Sequence, residues 1–201
     1  MSPLSSATAK DSRRLWLVRH PRPLVPDGVC YGATDVPVDP DHLQSVLPDL
    51  AVQLPQQALW RVSGLRRAGA LAQALHGLRP GQAPPLEDPR LNEMHFGAWE
   101  MQPWDAIGPS ALQAWTDDFH HHRCGGGESV ALLLARVASL WQDLLNRPGQ
   151  GDEVWFTHAG VIRAVQLLQS GHRPGVDGAL LATDWPRQSL PFGGITVCAL
   201  K

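Results

Sequence analysis

Four short apolar runs, at residues 15–18, 59–62, 154–157 and 195–200, recur along the chain between stretches of helical spacing. A run this short does not by itself separate a strand from a buried helical turn. Each one, however, is bounded by turn or polar residues, as buried strands are. Between the runs, Leu65, Ala68, Leu71, Ala72, Leu75 and Leu78 recur every three or four residues. Val130, Leu133, Leu134, Val137, Leu140, Trp141, Leu144 and Leu145 form a stronger stripe of the same kind. Another helix is expected over 161–168, and a short one runs from a cap at Asp39 or Asp41 to about residue 54. Short strands alternating with helices pack as a mainly parallel sheet with helices on both faces. The expected fold class is therefore α/β, a three-layer α/β/α sandwich.

The chain has 201 residues, which suits one domain, placed at 13–201. Residues 1–12 are small and polar and are expected to form a disordered tail. No internal repeat, low-complexity tract or linker divides the rest. The 18 prolines and 19 glycines make the loops many and stiff. Net charge is −2, which gives no bulk-charge route to nucleic acid or a membrane surface. The first apolar run is far too short for a signal-peptide core or a spanning helix, so a cytoplasmic location is expected. Cys30, Cys124 and Cys198 are far apart and odd in number, against a disulfide framework or a thiolate metal site. His120-His121-His122 point in different directions if helical, and no metal is expected there. Eight tryptophans against one tyrosine are unusual, and composition alone gives them no function.

In open α/β sheets, ligands sit at the carboxyl ends of the strands. The first run ends in Arg19-His20, and the third runs into His158. Arg66 and Arg67 stand in the first turn of a helix, where a cation opposes the helix dipole and an anion would relieve it. Segment 91–100 has no clean period; it reads as a loop with buried anchors, and it carries Glu93. Histidine supplies a nucleophile, arginine a planar fork for phosphate, and glutamate an acid. That is the set phosphoryl transfer through a histidine needs, since charge spreads over three oxygens in the transition state.

These residues stand in five ordered segments. They are Leu17-Val18-Arg19-His20, Ser63-Gly64-Leu65-Arg66-Arg67-Ala68, Leu91-Asn92-Glu93 with Phe96-Gly97-Ala98-Trp99-Glu100, Gly126-Gly127-Glu128-Ser129, and Thr157-His158-Ala159-Gly160-Val161-Ile162-Arg163. In this order they resemble the histidine phosphatase superfamily, also called phosphoglycerate-mutase-like. The chain looks most similar to the small phosphatases of that family, such as alpha-ribazole phosphatases of cobalamin biosynthesis. The resemblance implies that His20 attacks phosphorus, that Arg19, Arg67 and His158 hold the phosphoryl oxygens, and that Glu93 is the acid. Arg22, Tyr31, Glu128, Ser129 and Ala159 are expected to line the substrate, while Glu100 belongs either to the acid-bearing segment's function or to the solvated surface. The implied partner is a small phosphorylated metabolite, with no cofactor and no metal; a homodimer is a further expectation.

One position departs from the family pattern. Pro21 stands where glycine usually follows Arg-His, and it has no N–H to offer a phosphate. Arg22 is expected to supply compensating positive charge. The departure leaves two alternatives beside the phosphatase: a phosphoglycerate-mutase-type transfer, and a phosphate-binding or regulatory module that has lost turnover.

Overall fold

The computed structural model describes residues 13–147, 149 and 151–200, so the expected tail at 1–12 lies outside the described residues. In chain order the elements are β1 (Arg14–Arg19), α1 (Pro40–Gln53), β2 (Leu59–Val62), α2 (Arg66–Gly77), β3 (Leu86–Glu87), α3 (Pro109–Asp117), α4 (Val130–Leu145), β4 (Glu153–Thr157), α5 (Ala159–Gln169) and β5 (Ile195–Ala199). The sheet order is β3-β2-β4-β1-β5. All neighbours are parallel except β5, which runs antiparallel to β1 at the edge.

Alternation along the central strands sorts their side chains between two layers. Leu15 and Leu17 of β1 and Trp155 of β4 face a cluster that holds Leu133, Leu134 and Val137 of α4 and Val161 and Val165 of α5. Val18, Val154 and Phe156 face the other way, onto Leu47 and Leu50 of α1 and Leu71 and Leu75 of α2. Helices thus cover both faces, as the strand–helix alternation requires. No helix of the described residues is long and apolar enough to cross a membrane.

Helix starts follow their local chemistry. The Asp39 carboxylate caps α1 by accepting from the N–H groups of Asp41 and His42. Ser129 caps α4 by accepting from Leu132 N–H. By contrast, α2 begins at Arg66 with no side-chain cap and no acid in its first turn. Two arginines in a first turn without a local cap form a cost that tertiary contacts offset, among them Asp35 Oδ1, which accepts from Arg66 N–H at 2.7 Å.

The parallel register sets the site. Val62 of β2 and Val18 of β1 both pair with Phe156 of β4, between them. The next residues along these strands are Ser63, Arg19 and Thr157, followed by His20 and His158. With strands about 4.8 Å apart, Ser63, His158 and His20 are brought side by side at the carboxyl edge.

Candidate active site

His20 is 2% exposed, and its main chain is pinned on both sides. Its N–H donates to Thr157 O at 3.0 Å, and its carbonyl accepts from Gly193 N–H at 3.1 Å. Nδ1 lies 2.6 Å from the Pro21 carbonyl. A carbonyl only accepts, so Nδ1 carries the proton, and in the neutral ring Nε2 keeps its lone pair. Pro21 lacks an N–H, but the carbonyl is the group used here. Burial, reinforced by the charges of Arg67 and then Arg19, pushes the His20 imidazole well below the ordinary histidine range against the opposing pull of the Pro21 carbonyl.

The His158 ring lies 5.0 Å from that of His20, centroid to centroid, and is fully buried. Its Nε2 is 2.8 Å from Ser63 Oγ. Ser63 Oγ is also 2.8 Å from Asn92 Oδ1 and receives Leu65 N–H at 3.2 Å. Asn92 Oδ1 accepts from Gly64 N–H at 2.8 Å, which identifies it as the oxygen. The single Ser63 proton therefore goes to Asn92, and His158 Nε2 must donate to Ser63. Nδ1 of His158 is buried with no partner among the described residues. Burial, with Arg67, His20, Arg136 and Arg19 adding positive charge, pushes the His158 imidazole well below the ordinary histidine range.

Two arginines flank the pair. Arg67 is completely buried; its Nη1 and Nη2 donate to Thr34 O at 2.9 Å and Gly32 O at 2.6 Å. Arg19 donates through Nη1 to Leu190 O at 2.5 Å and Ser189 Oγ at 3.1 Å, and its guanidinium lies 4.0 Å over the Phe192 ring. Nε of both arginines is buried and unpartnered among the described residues. Tyr31 stands between them, with Arg67 5.2 Å from its ring and its own ring edge-on to His20 at 6.5 Å. Burial raises the Tyr31 phenol above its ordinary range, so it stays a neutral donor. Arg66, the other cation of the pair, instead binds Asp35 at 2.7 Å on the surface.

Glu93 reaches the same space from segment 91–100. Its carboxylate accepts from Gly160 N–H, in the first turn of α5, at 3.0 Å. A Cβ at Gly160 would overlap Glu93 Oε1, so the close approach needs glycine. The fields of both Arg19 and Arg67 reach Glu93. Segment 91–100 is fixed by Thr157 Oγ1 on Leu91 O at 2.7 Å and by Arg136 Nη1 on Asn92 O at 2.7 Å. Glu128 holds Arg136 at 2.8 Å and accepts from His95 N–H at 3.2 Å.

The remaining expected residues divide clearly. Ala159 opens α5 next to His158 and lines the cavity beside Glu93. Glu128 and Ser129 are engaged with Arg136 and the start of α4 rather than with open space. Arg22 is exposed; only its backbone is bonded among the described residues, its N–H to His42 Nδ1 and its carbonyl to Asp39 N–H. The leading charge on both His20 and His158 comes from Arg67, and Arg19 also acts on both.

Two contributors escaped the sequence. Phe192, the platform under Arg19, lies in a stretch without periodic pattern. Glu100 is no solvated carboxylate. It accepts from Ala33 N–H at 2.9 Å, Thr34 N–H at 2.5 Å, Phe96 N–H at 2.9 Å and the Thr34 hydroxyl. It thereby ties down the loop whose carbonyls hold Arg67. The His120–122 run does not form a metal cluster; His122 stacks on Trp99, and no three ligating side chains converge among the described residues.

The family model of the histidine phosphatase superfamily, branch 1, matches residues 15–174. No curated protein matches the chain significantly. Among solved structures, mycobacterial glucosyl-3-phosphoglycerate phosphatase is similar, with TM-score 0.74, 25% identity, and 92% of this chain and 89% of that chain covered. Structures of that phosphatase hold VO3 and inorganic phosphate. A mycobacterial hydrolase gives TM-score 0.73 at 26% identity, covering 92% of this chain and 81% of its own. A protein of Thermus thermophilus gives TM-score 0.66 at 30% identity, with 92% of each chain covered. With the family model spanning the strands and helices that carry Arg19, His20, Arg67, Glu93 and His158, the chain belongs to the histidine phosphatase superfamily and is a hydrolase of the phosphatase type.

Proposed function

We propose that the protein is a metal-independent phosphomonoesterase that works through a phosphohistidine at His20. One observation carries the reading. Arg19 Nε, Arg67 Nε and His158 Nδ1 are buried polar atoms without partners among the described residues, and all belong to side chains grouped around His20. Unpartnered buried polar groups are costly; a phosphoryl group accepts from the two Nε–H groups directly, and from His158 Nδ1 once that nitrogen takes up a proton.

In the first step the Nε2 lone pair of His20 forms the N–P bond. The ester P–O bond breaks, and the leaving oxygen takes the proton of the Glu93 carboxyl. In the second, water attacks phosphorus and gives its proton to the Glu93 carboxylate. The N–P bond breaks, and inorganic phosphate leaves. The charge spread over the equatorial oxygens is met by Arg19 and Arg67, and by His158 once the bound dianion draws a proton onto Nδ1. The two guanidiniums and one imidazolium supply the neutralisation a metal would otherwise give. Tyr31 and Ala159 border the substrate; Glu128 and Ser129 act on it through the Glu93 segment and α4.

The substrate is a small phosphorylated metabolite, and alpha-ribazole 5'-phosphate is the candidate we put first. The test is phosphate release from that ester in EDTA, beside p-nitrophenyl phosphate and 3-phosphoglycerate. Strong preference for the ribazole ester supports the full reading, and turnover of the generic ester alone removes the pathway. Isomerisation of 3-phosphoglycerate in place of hydrolysis would favour a mutase, and no turnover of any ester would favour the phosphate-binding module.

A further inference from the structure

A cavity of about 200 Å³ lies against Glu93. Glu93 and Gly160 form its wall on the side of the site; Phe96, Trp115, Phe119 and Trp185 form most of the rest. The aromatic walls brace one another. Trp115 and Phe119 stack at 5.6 Å, Phe96 meets Trp115 edge-on at 6.1 Å, and Trp185 meets Phe119 edge-on at 5.8 Å. With Trp99 and Trp104, which also pack against Trp115, this cluster takes four of the eight tryptophans. The composition that had no function at the level of sequence is concentrated here.

Position gives the cavity a role. Glu93 is the group placed to protonate the leaving oxygen, so the alcohol part of the substrate must lie beside it. The chemistry of the lining then selects the alcohol. Among the described residues, Glu93 and Arg163 are the only charged ones in the lining, and the other side chains are apolar or aromatic. A polyhydroxylated leaving group with no ring to stack would find few partners there. An apolar cavity of about 150 Å³ accepts a benzene ring, so this one suits a ring with small substituents. Braced aromatic walls favour stacked and edge-on contacts with such a ring. Two lining donors, Trp115 Nε1 and Arg163 Nε, are buried without partners among the described residues. Both would be satisfied by acceptor atoms on the guest.

We infer that the cavity is the leaving-group pocket and that the substrate is a phosphate ester whose alcohol carries a flat aromatic ring with a hydrogen-bond acceptor. The inference rests on the phosphatase reading, since it takes Glu93 as the acid. It sets this chain apart from a phosphatase of sugar or glycerate esters whose alcohols carry no aromatic ring.

Two measurements separate the inference from the reading beneath it. The first is binding of benzylphosphonate and methylphosphonate by calorimetry, which needs no turnover. The ring is expected to tighten binding about tenfold or more. The second is kcat/KM for 2-phenylethyl phosphate against glycerol 1-phosphate, both esters of primary alcohols, with the aromatic ester favoured by a similar factor. Trp185→Ala should shrink that ratio severalfold. Trp115→Phe, which keeps a ring and removes the N–H, should weaken binding of a pyridylmethylphosphonate more than of benzylphosphonate. Equal binding of the two phosphonates, or hydrolysis of both esters with equal kcat/KM, would overturn the pocket while leaving the phosphatase. Tight benzylphosphonate binding with no hydrolysis of either ester would support the pocket and overturn the phosphatase reading.

Discussion

Glu100 gives the sharpest test of how the site is held. Its carboxylate collects three backbone N–H groups and one hydroxyl from two segments, the loop at 33–34 and the turn at Phe96. Burial alone would raise this carboxyl. The Thr34 hydroxyl, followed by the N–H groups of Ala33, Phe96 and Thr34, outweighs burial and holds it below the ordinary glutamate range. Glu100→Gln keeps the shape. The amide oxygen can still accept from Ala33 and Phe96, whose donors share Oε1, but the amide NH2 then faces Thr34 N–H, donor against donor. Hydrogen bonds to a charged group contribute about 1.5–3 kcal/mol each. Losing one and weakening two by removal of charge predicts destabilisation of about 2–4 kcal/mol on that scale. The effect should pass to activity, because Gly32 O and Thr34 O of the same loop hold both Nη atoms of Arg67. A loosened Arg67 should lower kcat/KM about tenfold, which corresponds to about 1.4 kcal/mol of transition-state stabilisation. Urea unfolding followed by tryptophan fluorescence reads the first quantity, and steady-state phosphate release under folding conditions reads the second. Stability and kcat/KM both unchanged would refute the account of Glu100. A loss of stability with full activity would refute the link from loop to Arg67.

Other predictions follow from the buried groups. His20 and His158 both have folded pKa values below the unfolded value of about 6.5, so the unfolded chain binds more protons on acidification. The stability they allow is present above about pH 6.5 and is lost below it at up to about 1.4 kcal/mol per pH unit per histidine. A urea series across that range should show a shallower slope for the His20→Asn/His158→Asn double variant, and equal slopes would contradict the buried neutral pair. Ser63→Ala removes the acceptor of His158 Nε2–H and Leu65 N–H. It should cost about 1–3 kcal/mol of stability and lower kcat as the ring loses its orientation; an unchanged kcat would show that Ser63 does not set the tautomer. Gly160→Ala pushes on Glu93 while slightly favouring α5, so stability should move by about 1 kcal/mol or less and kcat should fall at least about tenfold. Full activity in that variant would remove Glu93 from the acid's place.

The frame of the molecule was readable because it rests on local signals. β2 is observed at Leu59–Val62 as expected, and α4 begins at the Ser129 cap that the sequence offered. Both follow from apolar period and capping chemistry, which neighbours along the chain determine. β3 was not anticipated. Both its residues are exposed, and pairing with Arg61 and Val62 alone makes it a strand. Arg19, His20, Arg67 and His158 were legible by type and position at strand and helix ends. Their supports were not, because each is a contact over long sequence separation: Phe192 under Arg19, Ser63 on His158, Glu100 on the 33–34 loop. The Trp115 cluster was hidden for the same reason. Its members come from α3, from two loops and from the segment after α5, and no single stretch shows the wall they build.

The central claim is the covalent intermediate at His20, and rapid-quench labelling addresses it most directly. The protein is mixed with phosphorus-labelled p-nitrophenyl phosphate, quenched in alkaline detergent within milliseconds and digested for peptide mapping. The account predicts acid-labile, base-stable label on the peptide containing His20, formed no more slowly than nitrophenol is released. Steady hydrolysis with label on another residue, or with none at the earliest times while nitrophenol appears in a burst, would contradict it.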